Sequence, residues 1–322
     1  MHGNAFADSV ATGAPDTPSA AAAPEAEAFP RTDANDGVKA RAPFSLRGLG
    51  RTLLTALPLI IVVLAVLVAL LGPALDGLDP FEQDLIQRNK GPNETYLLGT
   101  DHLGRDVLAR LIVGTRLSLE AGLGGVLVAL ALGGLLGFAA SAARGMTETA
   151  FYAFVDLIRA MPGVLLALLL VVALGAGLGP VTIALGVTFA PIFAYVARAT
   201  YRRELAMDYV TAAESFGASR WRILFTHILP NVLGAFVTQA AIVLPRCIVT
   251  ESVLSFLGLG VEPDTPTWGR MIAQASQFIE RNPVAVLAPV IALSMLTISL
   301  ALLGDRLRRR LDPRRITEGA AT

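Results

Sequence analysis

Apolar residues are concentrated in six stretches of the chain, and polar or charged segments separate one stretch from the next. A helix of about 20 apolar residues spans roughly 30 Å, which is the thickness of the hydrocarbon core of a bilayer. Each of the six stretches reaches that length. The pattern therefore predicts an all-α, polytopic membrane protein with six transmembrane helices, at Leu53–Gly72, Leu117–Ala140, Ala150–Leu174, Pro180–Thr200, Val232–Leu257 and Val284–Gly304.

The segments that flank the apolar stretches divide the chain into four parts. The first 50 residues are rich in Ala, Pro, Asp, Gly and Thr and show no apolar period, which is typical of a disordered tail. Because the first apolar stretch begins only at Leu53 and is long enough to span, we expect no cleaved signal peptide. The predicted parts are a disordered cytoplasmic tail (1–50), a first transmembrane helix with an extracytoplasmic segment (51–116), a five-helix membrane domain (117–304) and a basic cytoplasmic tail (305–322).

Lys and Arg residues indicate the orientation of the chain, because cytoplasmic segments retain more of them. With the N-terminus inside, 17 of the 26 Lys and Arg residues lie in segments on the cytoplasmic side and seven lie in outer segments. The remaining two, Arg159 and Arg246, lie within predicted spans. We therefore expect both termini to face the cytoplasm.

The composition excludes several classes of protein. With 54% apolar residues, 16% charged residues and a formal net charge of zero, the chain has neither the polar surface of a soluble domain nor the basic field of a nucleic-acid binder. One cysteine, Cys247, and three scattered histidines provide neither a disulfide framework nor a metal cage. We therefore expect no metal site, no cofactor and no nucleic-acid partner.

The chain also lacks the motifs of an ATPase and of common membrane enzymes. A P-loop requires a Lys after Gly to hold phosphate, whereas Lys39 follows Val and Lys90 follows Asn. Gly-x-Ser-x-Gly and His-Glu-x-x-His sequences are absent as well. We therefore expect this chain not to be an enzyme, and any ATP to be bound by partner subunits.

Four small residues recur at steps of four along the second predicted helix, at Gly125, Ala129, Gly133 and Gly137. They share one face, and a face of small residues lets two helices approach closely in lipid. This stripe predicts tight packing within the bundle.

The outer segment after the fifth predicted span carries apolar residues at helical spacing from Trp268 to Ile279. This pattern predicts a short helix at the membrane surface, with Trp268 as an interfacial anchor.

The loop between the fourth and fifth predicted spans is about 30 residues long, which is more than a simple turn needs. Its first part has the pattern of an amphipathic helix, Gly217 interrupts that helix, and Pro230 opens the next span. Such a helix–glycine–helix knob must bury its apolar face, either against a partner protein on the cytoplasmic side or on the lipid surface. The sequence leaves both alternatives open. The predicted apolar face consists of Leu205, Tyr209, Ala212, Ala213 and Phe216.

Two charged residues lie deep in the fifth predicted span. An Arg near the bilayer centre costs roughly 2.5–3.5 kcal/mol on insertion scales, so Arg246 needs an aqueous path or an acidic partner. Glu251 lies about 140° further round the helix and cannot pair well with it. We expect both to line a translocation path, where Arg246 meets a carboxylate of the solute. The alternative is a structural ion pair with a second membrane subunit.

Asp156 and Arg159 lie three residues apart in the third predicted span. Residues three apart share a helix face, so these two charges are expected to compensate each other.

The segment GTDHLGRD, just before the second predicted span, combines hydrogen-bond donors and acceptors. Its Thr or its first Asp is expected to cap a surface helix. The segment is either such a structural helix or a docking site for an extracytoplasmic binding protein. Its single histidine lacks companion ligands, so a nickel site is not favoured. The candidate residues are Thr100, Asp101, Gly104, Arg105 and Asp106.

The sequence TAAESFGASRWRILFTHILPN, at 211–231, resembles the cytoplasmic coupling motif of ABC importer membrane subunits. That motif reads Glu-Ala-Ala, three residues, Gly, nine residues, Ile, one residue, Leu-Pro. Thr211 stands where the family has Glu, and His227 stands where Ile is usual. The resemblance implies that contact with an ATPase is made by Thr211, Ala212, Ala213, Gly217, Leu229 and Pro230.

Three further sequences are similar to those of the dipeptide/oligopeptide/nickel permease group. They are LGTDHLGRD before the second predicted span, SFLGLGVEPDTPTWG after the fifth, and LGDRLRRRLDPR at the C-terminal end. The resemblance extends over residues 53–315. It implies the C-type permease subunit of a type I, binding-protein-dependent ABC importer in a bacterial inner membrane, with cytoplasmic coupling helices.

The resemblance also implies partners. They are a homologous second permease subunit, two ATP-binding cassette subunits that bind ATP, an extracytoplasmic solute-binding protein, and membrane lipid. Di- or oligopeptides are the solutes that it favours, while nickel, glutathione and opines stay open. An ion-coupled secondary transporter is the competing interpretation, because such carriers also place charges within their spans.

Overall fold

The structure, a computed structural model, describes residues 46–72, 79–262 and 264–311, without the side chains of 46–55, 220 and 221. Within these ranges the chain is helical and forms no strand. Most of the two predicted tails, at 1–45 and 312–322, lies outside the described residues. The helices are α1 (Leu46–Leu71), α2 (Val107–Ala143), α3 (Gly145–Ala160), α4 (Gly163–Leu174), α5 (Leu178–Leu205), α6 (Asp208–Ser215), α7 (Leu224–Phe256), α8 (Trp268–Ser276) and α9 (Pro283–Leu311).

Four of these helices, α2, α5, α7 and α9, are long and apolar enough to cross a membrane. Helices α3 and α4 together form a fifth candidate span. In α1, which has 26 residues, the described side chains form the apolar stretch Ala56–Leu71. The all-helical membrane fold is therefore confirmed, whereas the count of six spans stays a prediction. Helix α1 begins at Leu46, inside the segment predicted as a tail.

The third predicted span, Ala150–Leu174, is not one straight helix. The chain bends by 95° between α3 and α4. Met161 has extended backbone angles, φ −85° and ψ 138°. The ring of Pro162 causes this, because it disfavours helical angles in the residue before it and provides no N–H for the helix.

Helices α2 and α5 pack closely along the stripe of small residues. A Cβ atom added to Gly133 would lie 1.9 Å from the carbonyl oxygen of Ala190, and one added to Gly137 would lie 2.7 Å from the Cα of Ala194. Only glycine fits such an approach of two backbones. The predicted role of the stripe in packing is confirmed.

Trp268 does not anchor the chain at a membrane surface, and that prediction is wrong. Its side chain is buried, and its indole N–H donates to the carbonyl oxygen of Leu111 at 3.3 Å. Helix α8 packs against α7 and α9. The Thr267 hydroxyl caps its start by accepting from the Arg270 N–H at 3.4 Å. In the interior the apolar ring is removed from water and its polar N–H still has a hydrogen-bond acceptor.

Candidate functional site

The segment between α5 and α7 forms a knob, defined here as residues 206–219. Helix α6 ends in a Schellman motif, in which the N–H of Ala218 donates to the Ala213 carbonyl at 3.0 Å and the N–H of Gly217 to the Glu214 carbonyl at 2.9 Å. This motif requires left-handed backbone after the helix, and Gly217 has φ +77°. The predicted end of a helix at Gly217 is therefore confirmed, and the helix that ends there is α6.

The predicted apolar face of the knob is found only in part. Leu205, Tyr209 and Ala213 pack against an apolar cluster of the bundle as predicted, whereas two other predicted residues do not. Val210 is 1% exposed and lies in an apolar cluster with Ile223 and Ile228. Ala212 is exposed, and Phe216 is 90% exposed. Sequence reasoning missed Val210 and placed these two side chains on the packed face. A helix of eight residues has too few turns for periodicity to fix its orientation.

The outer face of the knob carries Thr211, Ala212, Ser215 and Phe216, all of them exposed. Ala213 is half-buried beneath them and packs against the apolar cluster. A large aromatic side chain on an exposed tip is the kind of residue that anchors a protein interface. The knob therefore presents a small surface with one aromatic anchor.

A polar clamp, consisting of Glu204, Tyr209 and Asn231, ties the knob to the two adjacent helices. The Tyr209 hydroxyl donates to Glu204 Oε2 at 2.6 Å and accepts from Asn231 Nδ2 at 3.2 Å. Arg203 Nη2 donates to Glu204 Oε1 at 2.9 Å. Burial and the bond to the Glu204 carboxylate raise the pKa of Tyr209. Because Glu204 lies in the last turn of α5 and Asn231 lies near the start of α7, the clamp joins α6 to both helices.

Leu229 and Pro230 follow a π turn, Leu224–Ile228, that opens α7. Proline has no N–H to donate to the carbonyl four residues before it, and the wide turn accommodates this loss. Leu229 packs against the same apolar cluster as Val210, while Pro230 is exposed. The residues predicted to form the coupling motif therefore all lie in the knob or near the start of α7.

A cleft of about 770 Å³ lies between α5, α7, α9 and the break between α3 and α4. Pro191 and Pro245, each inside a continuous helix, line it, and so does Met161 at the break between α3 and α4. Irregular backbone within a membrane occurs where it lines a cavity or is buried in protein. The cleft is therefore the candidate path for a solute.

Arg246 lies in this cleft, together with Arg159 and Asp305. Among the described residues Arg246 makes no hydrogen bond or ion pair, and its side chain is exposed. Arg159 is 3.9 Å from Asp156 and stacks 4.7 Å from the ring centre of Tyr195, so the expected compensation within α3 is present. Within the described part of the chain, Arg246 is thus an unpaired cation on the wall of the cleft.

Glu251 lies elsewhere, and the prediction that it lines the same path is not supported by its position. It is 0% exposed and accepts hydrogen bonds from the Ser255 hydroxyl at 2.6 Å and the Ser252 hydroxyl at 3.4 Å. Five residues along a helix turn the side chain away from the face of Arg246. Glu251 therefore lies in the protein interior, where it accepts hydrogen bonds from neighbouring residues of its own helix.

The GTDHLGRD segment is organised around Asp101. Its Oδ1 accepts from the N–H groups of Leu103 at 2.8 Å and Arg105 at 3.0 Å, and its Oδ2 from Arg105 Nε at 2.7 Å. Arg110 Nε lies 3.6 Å from the same Oδ2. All three charged side chains are buried. Asp101 thus compensates two arginines inside the fold.

The helix after this segment is capped by Asp106, not by Thr100 or Asp101 as predicted. Asp106 Oδ1 accepts from the Leu108 N–H at 2.8 Å. Thr100 is buried, and its carbonyl accepts from Asn282 Nδ2 at 3.0 Å. Gly104 lies in the turn, where its N–H donates to the Asp101 carbonyl at 3.0 Å. Because most of these side chains are buried, they stabilise this segment and are not available as a docking surface.

The chain is similar to known proteins in sequence and in fold. A family model described as binding-protein-dependent transport system inner membrane component matches residues 129–317. The di/tripeptide transport system permease protein DppC of Pseudomonas aeruginosa is 38% identical over 262 residues, which cover 80% of this chain and 86% of the relative. The glutathione transport system permease protein GsiD of Pectobacterium atrosepticum is 36% identical over 239 residues, covering 74% and 79%.

A solved structure shows the same fold. An inward-facing crystal form of the MetNI methionine ABC transporter aligns with a TM-score of 0.52 at 21% identity. The alignment covers 64% of this chain and 97% of that chain.

Proposed function

The chain belongs to the family of binding-protein-dependent transport system inner membrane components, and we propose that it is the C-type permease of a di- or oligopeptide importer. It is a membrane-spanning permease subunit of an ABC importer and not itself an enzyme. In the proposal, ATP is bound and hydrolysed by two ATP-binding cassette subunits. The observation that carries it is the knob, which the polar clamp and the apolar cluster hold to the bundle while Phe216 stays exposed.

The exposed face of the knob docks into a groove of an ATPase subunit. Phe216 is the anchor, and Thr211 and Ala212 lie beside it on the same exposed face. Gly217 acts indirectly, since its left-handed backbone closes α6. Leu229 and Pro230 act indirectly as well, because they hold the start of α7 against the cluster beneath the knob.

Movement of the knob reaches the cleft through the polar clamp. The clamp ties α6 to α5 and α7, and these two helices contribute Pro191, Pro245 and Arg246 to the cleft. When ATP draws the ATPase subunits together, the knob moves as a rigid body and both walls move with it. The outcome is a shift between inward-facing and outward-facing states, driven by differential binding at a remote site.

The solute meets Arg246 in the cleft. An unpaired guanidinium recognises a carboxylate through two parallel hydrogen bonds, and every peptide carries a carboxylate. Two relatives are named for di/tripeptide and glutathione transport, and both solutes are peptidic acids. The homologous second permease completes the path, and an extracytoplasmic binding protein delivers the solute. Both termini lie in the cytoplasm and the chain resides in the bacterial inner membrane.

The orientation and the docking surface are tested together with single cysteines. Cys247 is the chain's one cysteine and is buried, so a thiol introduced at the surface is the reactive one. Once the ATPase subunits have been stripped from the membrane, Phe216→Cys is expected to react with a membrane-impermeant maleimide in inside-out vesicles only. Ile86→Cys, at a side chain that is 84% exposed in the outer segment, is the matched control and reacts in right-side-out vesicles only.

A bifunctional crosslinker at Phe216→Cys is expected to capture an ATPase subunit of the intact complex. Uptake is expected to follow ATP and not an ion gradient. Capture of lipid alone, or labelling of Phe216→Cys from outside, contradicts the proposal.

The role of Arg246 is tested with Arg246→Gln and Arg246→Lys. If Arg246 meets the solute, Arg246→Gln lowers peptide uptake at least tenfold, as expected for the loss of a charge-assisted pair, while the complex still assembles. Arg246→Lys restores part of the uptake because the charge is kept. If Arg246→Gln keeps normal uptake but the second permease is lost during purification, Arg246 instead forms an ion pair between the two permease subunits.

A further inference from the structure

A second cavity, the α2–α7 groove, lies between the cytoplasmic halves of α2 and α7. Its volume is about 800 Å³, and its lining is almost entirely apolar. Leu127 and Leu135 of α2 and Leu233 and Val237 of α7 line it, and each of these side chains is more than half exposed. The groove is separate from the cleft that holds Arg246.

The shape of the groove comes from two π turns. Leu130–Leu135 in α2 and Leu224–Ile228 at the start of α7 both contribute to its wall. A π turn widens a helix locally and is frequent at functional sites. Small side chains at Ala131, Gly134 and Ala139 leave further room. Both helices are apolar enough to cross a membrane, so an acyl chain can reach the groove and fill it with favourable dispersion contacts.

Two charged residues line the mouth of the groove, Arg144 and Glu214. Both are exposed. Within the part of the chain that the structure describes, neither side chain forms an ion pair or a hydrogen bond, with the other or with any third residue. The mouth thus presents an unpaired cation and an unpaired anion at the end of an apolar channel.

We propose that the α2–α7 groove binds a zwitterionic glycerophospholipid of the phosphoethanolamine type. An acyl chain lies along the apolar walls, the phosphate pairs with Arg144, and the primary ammonium pairs with Glu214. A guanidinium matches phosphate oxygens, and an ammonium has three donors for a carboxylate. A phosphoglycerol headgroup offers Glu214 only neutral hydroxyls in place of an ammonium, and a fatty acid leaves Glu214 without a cationic partner. Since Glu214 belongs to α6, the bound lipid contacts the knob.

The test uses the whole transporter complex with a photoreactive amino acid in place of Leu135, which is 66% exposed in the groove wall. The complex is reconstituted in nanodiscs that contain equal amounts of dioleoyl-phosphatidylethanolamine and dioleoyl-phosphatidylglycerol. After irradiation, mass spectrometry counts the adducts of each lipid. We expect phosphatidylethanolamine adducts to exceed phosphatidylglycerol adducts about fivefold, the size of effect that one exposed charge pair supports.

Matched variants separate the headgroup site from the apolar groove. The double variant Arg144→Gln/Glu214→Gln is expected to bring the ratio of the two lipids close to one. The control Arg222→Gln/Asp208→Asn removes one exposed charge of each sign outside the groove and keeps the preference. Ala139→Phe fills the groove and lowers the adducts of both lipids. Leu136→Phe, at an exposed position of α2 outside the lining, leaves them unchanged.

Three results overturn the proposal. Adducts with the second permease in place of lipid show that a protein helix fills the groove. A ratio close to one in the unmodified complex refutes recognition of the headgroup. Equal adduct yields in Ala139→Phe and Leu136→Phe show that the label reports bulk lipid.

Discussion

Replacing Gly217 by alanine perturbs one feature of the knob, the left-handed backbone that ends α6. Gly217 has φ +77°, and a Cβ atom at this position would meet no heavy atom within 4 Å. The alanine is therefore strained by its backbone conformation and not by a clash. For a non-glycine residue that strain is about 1–2 kcal/mol.

This strain raises the population of molecules in which the end of α6 is open. A free-energy change of about 1–2 kcal/mol multiplies that population roughly five- to thirtyfold. Gly217→Pro adds the loss of the N–H bond to the Glu214 carbonyl, so its effect is larger. In both variants we expect normal membrane insertion but fewer solute molecules imported per ATP hydrolysed, because an open knob moves without displacing α5 and α7.

Two measurements on the reconstituted complex check this prediction. Hydrogen exchange at the amides of Gly217 and Ala218 reports opening of α6, and the ratio of uptake to ATP hydrolysis reports coupling. Gly234→Ala is the matched control, since a Cβ there also meets nothing within 4 Å but its backbone is helical. We expect the control to be neutral or slightly stabilising. Equal exchange and equal coupling in Gly217→Ala and Gly234→Ala would refute the argument that backbone geometry at the turn holds the knob.

Three further variants probe the clamp and the outer segment. Tyr209→Phe removes the hydroxyl that donates to Glu204, which is 5% exposed, and should lower the free energy of unfolding by about 1–3 kcal/mol. A reduced coupling ratio at unchanged ATP hydrolysis checks its role in transmission, and an unchanged ratio contradicts it. Asp101→Asn leaves Arg105 buried without its carboxylate and should cost about 3–5 kcal/mol, seen as a lower melting temperature of the complex. Asp106→Ala removes only a helix cap and should cost about 1 kcal/mol, so equal losses in these two variants contradict the assignment.

The sequence alone determined the class of protein, the positions of most helices and the location of the knob. These features depend on local physics. A helix must satisfy its own backbone in lipid, so a long apolar stretch already implies a spanning helix. Gly217 marks the end of α6 because only glycine adopts its backbone angles without strain. The bend between α3 and α4 is equally local in origin, because Pro162 disfavours helical angles at Met161, but the continuous apolar stretch predicts a single span.

Only the tertiary structure decided which side chains meet. Glu204, Tyr209 and Asn231 form the clamp, although 22 residues separate the two hydrogen-bonded members Tyr209 and Asn231. Asn282 binds the Thr100 carbonyl across 182 residues of sequence. Composition and periodicity carry no information about such partners, because they depend on how helices pack and not on the preference of any one segment. For the same reason the sequence could not separate Arg246 from Glu251, since both are charges within one predicted span. In the structure Arg246 lies in an open cleft, whereas Glu251 lies in the protein interior.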